Sequence, residues 1–304
     1  MDRYTLLGPT FEAERRRLRG VAYRMLGSAA EADDAVQEAW LRLARSHVDA
    51  VENLSGWLTT VVSRVCLDML RSRSSRREQA LVPVPGRGAD EARVGPGGGG
   101  DDGGDPAEEA ELVESVGRAL LVVLDRLSPA ERVAFVLHDL FAVPFEQVAL
   151  LVDRTPVAAK KLASRARRRV NGTPVVPVTM LVEHRRVVDA FLTAARGGDV
   201  EELLTVLAPD VVRRADLSAL RPGEMPELRG ARTVANETAG NAAGARVAAV
   251  ALIDGEVGLL VVPDGHLAAA ITFTIADGTI TAMDVVAHPD RLASLDLAVL
   301  PVPD

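Results

Sequence analysis

Apolar residues recur at the three- and four-residue spacing that lines one face of a helix through the first part of the chain. Phe11 to Leu26, Glu31 to Ala44 and Leu54 to about Arg73 follow it, with breaks at Gly27-Ser28 and at residues 46–53. The pattern lapses from about Val82 to Pro106 and resumes at Ala107. Ser128-Pro129-Ala130-Glu131 then reads as a capped helix start ahead of Val133, Val136, Leu137 and Leu140 at helical spacing. Pro144 breaks that helix. A short one, Phe145 to Leu151, leads to a turn at Asp153-Arg154. Another begins at Thr155-Pro156, where threonine caps and proline at the first helical position forfeits no hydrogen bond.

After a second break, Asn171 to Pro177, the periodicity changes. Met180 to Ala195, Val200 to Leu207 and Gly230 to Ala242 keep helical spacing, whereas Arg246 to Ile253, Glu256 to Val262, Leu267 to Ile275 and Ile280 to Val286 are β-rich. Asp254-Gly255, Pro263-Asp264-Gly265 and Asp277-Gly278 separate these runs and predict hairpins. Helices followed by an antiparallel meander predict an α+β domain with a curved sheet wrapped on helices. The expected chain is multidomain: an all-α unit over residues 1–80, a linker over 81–107, a second all-α unit over 108–172 and an α+β domain over 178–304.

Composition adds three limits. The linker stretch from Val82 to Pro106 is so rich in glycine, proline and acids that it cannot bury a core and is expected to be flexible. Cys66 is the only cysteine, which excludes an internal disulfide and a multi-cysteine zinc site; no cofactor signature is present. The amino-terminal residues carry charges throughout and no long apolar run occurs, so the expected location is the cytoplasm, with no membrane partner.

Charge distribution changes the picture most. Thr155 to Val170 holds six Lys and Arg residues and no acid, within a chain of net charge -8. With Leu162 taken as inward and about 100° per residue, Ala158, Ala159, Ala166 and Val170 share its side, while Lys160, Ser164, Arg167 and Arg168 point away. One face packs and the other meets a polyanion. The preceding short helix and tight turn make this the recognition helix of a helix-turn-helix. Cationic contact alone is largely indifferent to sequence, so base choice is assigned to Thr155, Ala159, Lys160, Ala163, Ser164 and Arg167, with Lys161, Arg165 and Arg168 completing the DNA-binding surface. The plainer alternative is a solvated basic face.

Two blocks of residues carry a family resemblance. The first is Ala22-Tyr23-Arg24-Met25-Leu26-Gly27, Ala32-Asp33-Asp34-Ala35-Val36-Gln37-Glu38-Ala39-Trp40-Leu41-Arg42, Trp57-Leu58 and Leu67-Asp68-Met69-Leu70-Arg71. The second is Leu127-Ser128-Pro129-Ala130-Glu131-Arg132, Phe145-Glu146-Gln147-Val148-Ala149 and Ala163-Ser164-Arg165-Ala166-Arg167. In this order the chain resembles the extracytoplasmic-function (ECF) sigma factors of bacterial RNA polymerase, in the subgroup with a C-terminal SnoaL-like domain, a cystatin-like cone.

The resemblance implies sigma region 2 over residues 1–80, region 4 over 108–172 and a regulatory SnoaL-like domain over 178–304, with core RNA polymerase and promoter DNA as partners. It places Asp33, Asp34, Gln37 and Glu38 on the polymerase. It places Asn53, Ser55, Arg64, Arg71 and Arg73 on the downstream promoter element. Trp57 is assigned to core packing ahead of base stacking, because Leu58, Val61, Val62 and Val65 continue its apolar surface. Asp216 and the run His288, Pro289, Asp290, Arg291 and Leu292 are implied to be regulatory, through an intramolecular contact between the SnoaL-like domain and the sigma domains.

Enzyme relatives of the cone fold work through a carboxylate or histidine in an apolar cavity, which makes Asp216, His184, His266, Asp284 and His288 the candidates here. A lone histidine or strand-end aspartate is more often structural, and the expected activity is binding, not catalysis. Two rival readings are a free-standing repressor, which has no use for the acidic helix, and an enzyme scaffolded by the helical part.

Overall fold

The structure, a computed structural model, describes residues 3–45, 53–80 and 117–300. The linker expected over 81–107, and the helical residues expected from Ala107 to Val116, lie outside them. The chain divides into two compact units, residues 1–115 with 127–164, and residues 116–126 with 165–304.

In the first unit α1 (Arg3–Leu26), α2 (Ala29–Arg45) and α3 (Leu54–Ala80) pack against one another. The apolar stripe of α2, Ala32, Ala35, Val36, Ala39 and Leu43, is buried, as are Leu18, Val21 and Met25 of α1 and Leu58, Val62 and Leu67 of α3. Gly27 ends α1 at φ 78°, a left-handed conformation that glycine adopts without strain. Trp40 is half-buried, its ring 4.9 Å from that of Phe11. Helix α5 (Pro129–Phe135) opens with the expected capping box: Ser128 Oγ accepts from Glu131 N, and Glu131 Oε2 accepts from Ser128 N. The expected α-helix through Leu140 instead widens into a π turn, Val136–Leu140. There Val143 N donates to Leu137 O at 2.9 Å, and the His138 ring stacks on Phe145 at 3.7 Å. Helix α6 (Phe145–Val152) ends at Asp153 in the left-handed region, φ 54°. Helix α7 (Pro156–Asn171) then starts on Thr155, whose Oγ1 accepts from Ala158 N at 3.2 Å.

The second unit is built on a seven-stranded sheet in the order β2-β1-β6-β5-β4-β3-β7. Its strands are β1 (Leu207–Ala215), β2 (Glu227–Arg229), β3 (Ala248–Ile253), β4 (Glu256–Val261), β5 (Ala269–Ala276), β6 (Thr279–Val286) and β7 (Leu297–Ala298). The expected meander holds from β3 to β6, and Asp254-Gly255 and Asp277-Gly278 have the paired positive φ angles of a tight hairpin turn. The sheet is nonetheless mixed, because β1 lies parallel to β6. That strand was hidden by its start: α9 (Val200–Val206) passes straight into Leu207, which the helical pattern had claimed. Helices α8 (Val178–Gly197), α9 and α10 (Ala231–Gly240) cover the sheet, Phe191 meeting Phe273 edge-on at 5.4 Å. Short helices α11 (Ala242–Arg246) and α12 (Pro289–Ser294) complete the domain. Helix α4 (Arg118–Asp125), expected to belong with the helix-turn-helix, buries Leu121, Val122, Val123 and Leu124 within this unit, beside β3, β7 and the turn Pro263–Gly265.

Candidate nucleic-acid and polymerase interfaces

The outer face of α7 is as the charge pattern implied. Lys160, Lys161, Ser164, Arg165, Arg167 and Arg168 are exposed, as is Thr155 at the cap. Ala159 and Ala163 are a correction: both are 0% exposed, on the same stripe as Ala166 and Val170, so neither methyl can reach a base edge. The inward direction is set by this alanine stripe, and Leu162, taken as its centre, is only half-buried. Of the residues expected to choose bases, Thr155, Lys160, Ser164 and Arg167 are exposed.

The residues assigned to the downstream promoter element divide. Asn53 is exposed, and its Oδ1 accepts from Gly56 N at 2.9 Å as the cap of α3, which leaves the amide nitrogen to donate outward. Ser55 is a correction: its hydroxyl donates to Glu14 at 3.0 Å and accepts from Arg17 at 2.9 Å. Arg17, with smaller help from Ser55, holds the Glu14 carboxyl below the usual carboxylate range. Arg73 is likewise committed, to the Leu26 carbonyl at 3.0 Å and to an ion pair with Glu31. Arg64 is exposed, and Arg71 lies 3.8 Å from Asp153. Of the acidic group on α2, Asp33 is paired with Arg19 at 2.8 Å and Glu38 with Arg42 at 2.8 Å, while Asp34 and Gln37 are exposed.

Sigma-70 region 2 is matched over residues 10–76 and Sigma-70 region 4 over residues 117–170. The probable ECF RNA polymerase sigma factor SigI of Mycobacterium tuberculosis is 33% identical over 97% of this chain and 98% of its own length. The ECF RNA polymerase sigma factor SigJ of the same organism is 37% identical, over 94% of this chain and 93% of its own. The chain belongs to the ECF RNA polymerase sigma factors. A crystal structure of SigJ, 33% identical, covers 94% of this chain and 98% of that one with a TM-score of 0.44. In this sigma factor, region 2 is matched on the bundle of α1 to α3 and region 4 from the start of α4 through α7, and an α+β domain follows them in the chain.

In that C-terminal domain of the sigma factor the structure brings the expected regulatory residues together. Asp216 accepts from Ala287 N at 3.1 Å and His288 N at 3.0 Å, and pairs with Arg291. Burial opposes ionisation of its carboxyl, but the two backbone amides and the guanidinium outweigh it and hold the carboxyl below the usual range. Leu292 is buried, and Pro289 and Asp290 are exposed at the start of α12. Arg126, just past α4, donates to the carbonyls of Leu292 at 2.6 Å and Leu295 at 2.8 Å at the other end of that helix. Of the catalytic candidates Asp216 and His288 meet, but through the backbone amide of His288 and not its ring. A cavity of the domain is lined by Arg213 and Glu237 and not by Asp216, His184, His266, Asp284 or His288. Sequence reasoning missed Arg213 and Glu237. The alternation of Val211, Arg213 and Ala215 was the available signal once β1 was seen as a strand.

Among the described residues no helix is long and apolar enough to cross a membrane.

Proposed function

We propose that this sigma factor binds core RNA polymerase through the exposed part of α2, reads promoter DNA with the outer face of α7 and the entrance of α3, and is modulated by its SnoaL-like domain. It works by binding and not by turnover, in the cytoplasm where core polymerase acts. The observation that carries the reading is the acid-free outer face of α7, where Lys160, Ser164 and Arg167 are exposed behind a helix capped on Thr155. Cations at this density neutralise phosphates, and the three side chains near one another are of the types that bond base edges. Asp34 and Gln37, exposed on α2, serve the protein partner, since an acidic face is repelled by DNA. The C-terminal reading is supported by the Asp216 clasp and by Arg126, which joins the residue after α4 to the carbonyl end of α12.

Transcription with purified core polymerase tests this. The protein should direct synthesis from a cognate promoter. Lys160→Ala with Arg167→Ala should reduce it at least about tenfold, at roughly 1–3 kcal/mol per lost base contact, while co-purification with core polymerase persists. Loss of both activities together points to misfolding, and retained transcription removes α7 from promoter reading.

A further inference from the structure

The cavity of the C-terminal domain encloses about 340 Å3, at the small end of the range of roughly 300–1,000 Å3 for ligand pockets. Its walls are apolar at Phe191, Leu259 and Met283. Arg213 stands among them, 3% exposed and carried inward on the same face of β1 as Val211. Its Nε donates to Glu237 Oε2 at 2.8 Å, another nitrogen donates to Glu237 Oε1, and Nη1 donates to the Met225 carbonyl at 2.9 Å. Packing alone gives no reason for this arrangement, because an aliphatic side chain fills such a space without the cost of desolvating an ion pair. These bonds use three of the five guanidinium N–H groups, so two are left for an acceptor. The pair also cancels its own charge. At the mouth Arg221 bonds Asn241 at 2.6 Å and lies 3.9 Å from Glu224, so that end is balanced too.

We propose that this cavity binds a neutral, mostly apolar small molecule bearing a carbonyl or hydroxyl oxygen, which accepts from the spare N–H groups of Arg213. An anion would have to compete with Glu237 for a guanidinium already neutralised, and would lose its hydration with no countercharge in return. Ser218 and Ala219, just after Asp216, and Ala287, whose amide Asp216 holds, form part of the wall, so occupancy bears directly on the clasp. The site stands independently of the transcriptional reading.

Prodan, a neutral naphthyl ketone whose emission moves to shorter wavelength in apolar surroundings, is a suitable probe for the full chain. The expected result is a saturable blue shift at one probe per chain, with Kd on the order of 10–200 µM for a ligand of this size. Ala269→Trp fills the cavity from β5 and should weaken binding at least about tenfold. Ala245→Phe, on α11 outside the sheet, does the same by a second route if the first variant melts early. Absence of a saturable shift overturns the proposal, as does unchanged binding in both folded variants. Equal affinity for the anionic probe anilinonaphthalene sulfonate overturns the assignment to neutral ligands.

Discussion

Asp216 shows how much one carboxylate organises. It lies between the end of β1 and the start of α12, and its oxygens accept from two backbone amides and Arg291. Because the folded carboxyl titrates below its ordinary range, the stability it contributes is fully present above the unfolded value, about 3.9, and is lost as pH falls through the folded value. Asp216→Asn keeps an acceptor but loses the charge, a change of about 1–3 kcal/mol for bonds to a charged group. Its melting temperature should fall below that of the unaltered protein at pH 7, and the gap should close below about pH 4. A gap that stays constant across that range would mean the charge of Asp216 is not what holds the clasp. Two expected DNA contacts fail at this same scale. Ser55 and Arg73 have the right chemistry for bases and phosphates, but α1 and Glu31 already use it. A sequence shows that a side chain has donors; only packing shows whether they are spent.

Helix α7 is an element whose two faces separate cleanly into a buried alanine stripe and an exposed basic face. Ala159, Ala163 and Ala166 are wholly buried, and their small size sets how closely the helix approaches what it packs on. Ala163→Leu should therefore overpack that face and cost about 1–3 kcal/mol, seen as a lowered melting temperature. Lys160→Ala, on the exposed face, should change stability by less than about 0.5 kcal/mol while weakening DNA binding. If Ala163→Leu leaves stability intact and alters promoter preference, Ala163 is a reader after all. Period and caps made α7, α5 and the β3 to β6 hairpins legible, because Thr155, Ser128 and the two Asp-Gly turns are local signals. The misplaced elements depend on distant partners. Strand β1 is held by β6 lying parallel to it, and the π turn carries His138, whose ring stacks on Phe145. The cavity was illegible for a related reason, since Arg213 and Glu237 stand far apart in sequence and meet only across β1 and α10.

For the whole molecule the telling segment is α4. Region 4 is matched from residue 117, yet residues 116–126 belong to the compact unit that carries the sheet. Ending the chain near Thr173 would therefore do more than remove a C-terminal domain: it would strip Leu121 to Leu124 of the surface beside β3 and β7 that buries them. Loss of transcription by that truncation would confound exposure of an apolar helix with loss of regulation. Arg126→Ala in the full chain is the cleaner test. It deletes the bonds to the Leu292, Ala293 and Leu295 carbonyls and leaves every apolar contact of α4 in place. The loss is about 1–2 kcal/mol at a partly exposed site, enough to loosen α12 without unfolding the domain. Amide exchange in α12 should quicken about tenfold, as that free energy implies. If the C-terminal domain modulates the sigma domains through this junction, transcript yield with core polymerase must change as well, with polymerase association retained. Faster exchange in α12 with an unaltered yield would show that the junction is only structural.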